Sequence, residues 1–289
     1  MPELPEVETI RAFLDKHVRG KTITAIDLDL PRLIKNTTAD RFQAALTGQT
    51  LEGVSRRGKY LFVHCSGPWS FLAHMRMTGS LLYEERPGQY AGRAIHITFT
   101  LSEGRLLYRD IRTLGCLWLV PSDGPTGVKG YDSLGPDAIS PDFTTDRLYA
   151  FLKGCHRPVK TLLLDQTKVA GLGNIYVDEA LFRAGIRPMR HSDSVTKKEA
   201  ACLHEAIVAV LQEGRYDDPQ LHQRQRQRRT ESGKPPRLRP RRHALHRLRH
   251  DHRIHQTERP RHPLLPEVSI VGTAQTSLHR GGGPQGRRG

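Results

Sequence analysis

The sequence has no Cys-x-x-Cys pair. Its four cysteines, Cys65, Cys116, Cys155 and Cys202, stand far apart. That excludes a zinc ribbon or a dithiol redox motif in the chain as written, and it reads as the reduced thiols of a cytoplasmic protein. There is no run near 18 uninterrupted apolar residues and no signal-peptide pattern, so neither a membrane span nor export is expected. The folded part also lacks a bulk charge surplus. Net charge is +15, yet 18 of the 45 Lys+Arg and only 6 of the 30 Asp+Glu fall from Arg215 onward. The first 214 residues therefore hold 27 basic against 24 acidic groups. A nucleic-acid surface there has to come from placement of charge.

What is present divides along the chain. At 289 residues there is room for two domains. Residues 8–19 place apolar side chains at 10, 13, 14 and 18, a helical period closed by Gly20. Strand-like runs follow at 22–30, 50–55, 60–64, 70–74, 94–101, 105–108 and 116–120, divided by Gly, Pro and Asp. They predict an antiparallel sandwich or barrel. Gly and Pro cluster at 121–140, the expected linker. Helical patterns then cover 145–153, 159–164, 175–184 and 197–212. From 215 the chain is rich in Arg, His, Pro and Gln, without periodicity, and is expected not to fold by itself.

Several short stretches carry chemistry. The chain opens Met1-Pro2-Glu3-Leu4-Pro5-Glu6-Val7-Glu8-Thr9. Trimming of Met1 would expose Pro2 as a secondary amine. Such an amine adds to a sugar aldehyde carbon and forms an iminium, which draws electrons from neighbouring bonds. Glu3 is placed to move protons at the same centre. The alternative is an ordinary helix start, with Pro5 in the first turn and Glu6 and Glu8 at the positive end of the dipole. Lys59 follows Arg56-Arg57-Gly58 in a tight basic turn, where the plain reading is a solvated lysine and the two arginines suit phosphate contacts. His74-Met75-Arg76-Met77-Thr78-Gly79 and Arg109-Asp110-Ile111-Arg112-Thr113-Leu114-Gly115 each combine apolar and basic residues. Gly171-Leu172-Gly173-Asn174 opens a helix, with Asn174 as cap and free N–H groups suited to a phosphate.

Together these motifs resemble the formamidopyrimidine-DNA glycosylase family, from the first residue to about Gly214. The resemblance implies an α+β fold: a two-layer β-sandwich with flanking helices over 1–130, then a helical helix–two-turn–helix domain over 131–214. The disordered basic tail over 215–289 lies beyond it. It also implies roles. Pro2 and Glu3 are catalytic and Lys59 assists at the sugar and a nearby phosphate. Met77, Arg112 and Leu114 match the wedge that fills the hole left by an extruded nucleotide, with Leu114 standing where the family usually has Phe. His74 matches a phosphate-contacting histidine, Lys160 a basic position near the lesion, and Asn174 the phosphate-facing helix start. A histidine that the family often carries just before the strand at 95–101 is replaced by Ala94.

The resemblance implies one structural zinc, and the finger that would hold it is missing. Tail codons offer a cause. Read from their second base, leucine codons at Leu245, Leu248 and Leu265 and a valine codon at Val268 can each encode cysteine. The spacing is Cys-x-x-Cys twice, so we read a frameshift near Gly214. The leading expectation is a bifunctional DNA glycosylase/AP lyase acting on oxidised purines in damaged duplex DNA, as a cytoplasmic, nucleoid-associated bacterial monomer. The competing expectations are a DNA-binding remnant without turnover and a basic RNA-associated protein acting through its tail. The finger reading carries a test. The protein as written should retain well under one zinc per chain after mild chelation, and a frame-corrected version about one. One tightly held zinc in the chain as written would refute it.

Overall fold

The computed structural model describes residues 1–90 and 94–216. The expectations for the tail, its disorder and its finger-like codons, lie outside the described residues. Eight strands build two antiparallel four-stranded sheets. The first takes β1 (Ile23–Leu28), β6 (Ile95–Leu101), β7 (Arg105–Asp110) and β5 (Gly79–Glu84), in that spatial order. The second takes β2 (Leu51–Arg57), β3 (Tyr60–Cys65), β4 (Trp69–His74) and β8 (Cys116–Pro121). The fold is therefore a sandwich and not a closed barrel.

Alternation explains the layers. In β6, Ile97, Phe99 and Leu101 are buried while the residues between them are partly exposed. Phe99 stacks on Phe71 of the opposite sheet with centroids 5.1 Å apart, and Phe42 meets both rings edge-on. Phe42 belongs to α2 (Ala39–Leu46), an element the strand-and-turn reading passed over. Its signal is a Thr38 hydroxyl accepting the Arg41 N–H, with Phe42 and Leu46 one turn apart. The reading also missed β5. Leu81, Leu82, Tyr83 and Glu84 are all buried, so no alternation marks the strand. Glu84 is tolerated inside because Arg105 and the Tyr90 N–H hydrogen-bond its carboxylate.

The helices form a second core. They are α4 (Thr145–Lys153), α5 (Val159–Leu164), α6 (Asn174–Arg183) and α7 (Lys197–Tyr216). Leu203, Ile207, Val210 and Leu211 of α7 line one face, at helical spacing, against Leu148, Leu152 and Leu181. No helix among the described residues is long and apolar enough to cross a membrane. Helix α1 (Leu4–Val18) joins the two cores: Leu4 lies in the helical cluster, and Val7, Ile10, Leu14 and Val18 in the sandwich.

Residues 121–140 are not a loose linker. A short helix, α3 (Lys129–Asp132), covers the outer face of the second sheet, where Tyr60, Phe62 and Leu72 pack with Val128, Leu134 and Ala170. Arg56 ties the segment down: it meets Glu8 at 2.9 Å and Asp137 at 2.5 Å, with a side chain only 7% exposed. Arg57 donates to the Leu134 carbonyl. These arginines, expected to contact phosphates, have partners within the protein. Burial raises the Glu8 carboxyl, but Arg56 and Arg11 outweigh it and hold Glu8 below the usual carboxylate range. Arg56→Ala would remove the shared partner of two half-buried carboxylates, leaving Glu8 to Arg11 and Asp137 to the Gly58 N–H, so urea unfolding should show a loss of about 1–3 kcal/mol. A loss under roughly 1 kcal/mol would make this an ordinary surface pair.

Candidate active site

The start of α1 is pinned by polar contacts from its own first turn and from residues 171–176. Pro5 presets the helical φ in the first turn, and the Glu6 carboxylate accepts the Glu3 N–H at 2.8 Å. The Leu4 N–H donates to the Gly171 carbonyl at 3.1 Å. Tyr176 donates its hydroxyl to Glu6 at 3.0 Å. Pro2 is buried and Met1 is exposed. With Met1 attached, the Pro2 nitrogen is an amide and cannot attack. Without it, the nitrogen becomes a secondary amine one residue from Glu3.

Glu3 is only 3% exposed, and its carboxylate accepts the N–H groups of Ile175 at 3.1 Å and Tyr176 at 3.4 Å. The free N–H groups at the start of α6, expected to face a phosphate, are thus turned inward onto Glu3. Asn174 is the first residue of α6 and is exposed; Gly173 holds the cap position, so the capping carboxylate comes from Glu3 and not from the helix's own cap residue. The two glycines permit this approach. A Cβ on Gly173 would lie 2.3 Å from the Glu3 carboxyl carbon, and one on Gly171, at φ +103°, 2.5 Å from Leu4.

Lys59 occupies the two-residue turn between β2 and β3, after Gly58 at φ +56°. It is buried, not solvated. Burial pushes its ammonium below the ordinary lysine range, against the pull of Glu3 and Glu6. Burial likewise raises the Glu3 carboxyl, opposed by the Ile175 N–H, Lys59 and the Tyr176 N–H. A carboxyl pushed up beside an ammonium pushed down is an arrangement suited to proton transfer.

His74 ends β4, packed edge-on against Tyr60 at 4.6 Å. Burial pushes its ring down to about 3, helped by Arg76 and Lys59. Its Nδ1 accepts the Arg76 N–H at 3.0 Å, which leaves Nε2–H on the neutral ring to donate. Lys160 forms an ion pair with Asp178 at 2.7 Å on the helical surface, so any DNA contact competes with that partner.

The two loops expected to form a wedge lie side by side. The 75–78 loop crosses from β4 to β5 and the 111–115 loop from β7 to β8. Met77 is 43% exposed and Leu114 46%, so neither is a core residue, and Arg112 is exposed between them in sequence. Arg76 and Thr113 both take positive φ, at +51° and +52°. Such strain in non-glycine residues gathers at working loops. Two residues went unremarked in the sequence. Ile111 adds a third exposed apolar side chain, detectable from its motif. His96, two positions after Ala94, places Nε2 2.9 Å from the Asp110 carbonyl.

The four cysteines are free thiols, with Cys65 and Cys116 buried in different strands. Among the described residues no group of three or more His, Cys, Asp or Glu is placed to hold a metal ion. The described residues therefore do not fit a structural zinc.

Comparison with known proteins gives the same picture. Residues 1–117 match the formamidopyrimidine-DNA glycosylase N-terminal domain and residues 134–221 the H2TH domain of the same family. A formamidopyrimidine-DNA glycosylase of Pelotomaculum thermopropionicum is 42% identical over 218 residues, 74% of this chain and 78% of that protein. One from Enterococcus faecalis is 43% identical over 212 residues, 73% and 75% of the two chains. The Lactococcus lactis enzyme, solved non-covalently bound to DNA containing an AP site, superposes with a TM-score of 0.69 at 34% identity, covering 74% of this chain and 81% of that one. Its wild-type complex with DNA containing an oxidised pyrimidine gives the same TM-score and identity, with 74% and 80% coverage. With both domain models matched in order on a sandwich and helix pair of this geometry, the chain belongs to the formamidopyrimidine-DNA glycosylase family.

Proposed function

We propose that this chain is a bifunctional DNA glycosylase/AP lyase of base excision repair, removing oxidised purines such as 8-oxoguanine and formamidopyrimidines from damaged duplex DNA. It works as a monomer on the cytoplasmic nucleoid. The observation that carries the reading is the buried Pro2–Glu3 pair, aimed by the first turn of α6 and faced by Lys59.

The chemistry follows from those three residues. The Pro2 amine attacks C1′ of the lesion nucleotide, and the bond from C1′ to the base breaks. The departing base takes the proton of the raised Glu3 carboxyl, and the proton that the attacking Pro2 nitrogen sheds passes back through Glu3 to the opening ring oxygen. The resulting iminium is positive without a proton, so a C2′ hydrogen becomes acidic. Its removal expels the 3′ phosphate by β-elimination, with Lys59 nearby to assist. Water then hydrolyses the iminium and returns the amine. Met77, Arg112 and Leu114 occupy the space left in the duplex while the nucleotide is turned out. Pairing damaged DNA with such a site is consistent with the DNA complexes of the Lactococcus lactis enzyme.

Two experiments follow. Pro2→Gly, with Met1 removed, should lose the borohydride-trapped complex on abasic DNA, because a repositioned primary amine replaces a fixed secondary one. Equal trapping would remove Pro2 from the mechanism and point to Lys59. If the unaltered chain binds abasic duplex yet traps nothing, it is a DNA-binding relative without turnover. Arg112→Ala should weaken binding to abasic duplex by on the order of tenfold and barely change undamaged duplex, since each interfacial contact of this kind contributes about 1–3 kcal/mol only when formed. A parallel loss on both would make Arg112 a phosphate contact.

A further inference from the structure

The wedge loops are not independent. Each crosses from one sheet to the other at the same corner of the sandwich, because β5 pairs with β7 in one sheet and β4 with β8 in the other. In the ladders His74 faces Cys116 and Gly79 faces Asp110, so the loops leave and enter adjacent strands. At that corner sits Asp110, fully buried.

Its carboxylate accepts from both loops. Oδ1 takes the Thr78 hydroxyl at 2.5 Å and the Arg112 N–H at 3.2 Å. Oδ2 takes the Gly115 N–H at 2.7 Å. The Arg112 N–H is shared, since Thr78 Oγ1 also accepts it at 3.0 Å. One carboxylate thus holds the residue after Met77, the backbone of Arg112 and the residue after Leu114. The aromatic floor is Tyr108, wholly buried, whose hydroxyl has no hydrogen-bond partner. A Cβ on Gly79 would come within 2.6 Å of that hydroxyl, and one on Gly115 within 1.5 Å. Gly79, which opens β5, and Gly115, which ends the second loop, must therefore be glycine for the loops to close over the ring.

We propose that Asp110 is the positioning residue of the wedge: it fixes Met77 relative to Arg112 and Leu114 so that they enter the duplex as one body. A carboxylate is required because three donors converge on it. An amide in its place offers one acceptor oxygen and turns an NH₂ toward a donor. The inference rests on the proposed repair function and adds to it a residue that touches neither the sugar nor the base. It acts through the loops alone.

The test compares substrates that do and do not need a wedge. In single-stranded abasic DNA there is no hole to fill. Asp110→Asn should slow single-turnover borohydride trapping on abasic duplex by on the order of tenfold to a hundredfold, as misplacement of a positioning element does. On single-stranded abasic DNA the rate should stay within roughly twofold of the parent, since positioning there has nothing to act on. Thr78→Val should reproduce the duplex defect in part, and Thr78→Ser should restore it. Equal loss on both substrates would mean a structural role only, and no loss on duplex would remove Asp110 from the wedge. A second readout is independent of the chemistry. With 2-aminopurine opposite an uncleavable abasic analogue, the fluorescence change on saturation reports insertion into the stack. That change should shrink in Asp110→Asn even if the parent protein traps no imine, which would sink the proposed reaction and leave the positioning role standing. An undiminished change in Asp110→Asn would overturn it.

Discussion

The candidate site depends on the carboxylate of Glu3 meeting the N–H groups of Ile175 and Tyr176. The groups at a helix N-terminus have no partner within their own helix, and a buried carboxylate has to find donors or become neutral. Each end of this contact meets the other's need. It also binds the first residues of the chain to a helix that begins more than 170 positions later. The glycines at 171 and 173, the Leu4 N–H bond to Gly171 and the Tyr176–Glu6 bond all serve the same approach. Pro2, one residue before Glu3, is buried beside the same contact.

A second constraint is the balance of charge inside. Arg56 bridges Glu8 of α1 to Asp137 beyond the sandwich, so the segment between the two cores is clamped at a point where both would otherwise slide. Lys59 follows on the next turn and is buried too, but it has no such pair of close carboxylates. Two basic residues three positions apart therefore have opposite fates. One is saturated by partners and structural, and the other is held with its charge destabilised and chemically available.

Much of this was legible from residue patterns, and the failures have physical reasons. The helices at 145–153 and 159–164 end where capping and apolar spacing place them. Strand β6 alternates because one of its faces is wetter than the other. Strand β5 was hidden because side chains on both of its faces are buried, Leu81 and Tyr83 in the sandwich core and Leu82 and Glu84 on the other side. Helix α7 runs on to Tyr216, past the point where its pattern fades. In the site, Pro2, Glu3 and Lys59 could be singled out by chemistry and family likeness. The donors that serve Glu3 could not: a glycine-flanked helix start reads equally well as a cradle for phosphate or for a carboxylate from the same chain. Likewise Arg56 and Arg57 read as phosphate contacts, since local sequence holds no trace of Asp137 or the Leu134 carbonyl. Asp110 was visible only as part of a motif, because its work lies in three backbone and side-chain donors that no spacing reveals.

Leu4 belongs to the helical core while the rest of α1 belongs to the sandwich. During translation, the sandwich strands emerge from the ribosome first, yet the turn bearing Pro2 has nothing to dock on until residues 171–176 have been made. At about 5–20 residues per second that is a delay of roughly ten to thirty seconds. Until then Glu3 has no Ile175 and Tyr176 N–H groups to accept. The first turn of the chain to be made is therefore among the last to be seated.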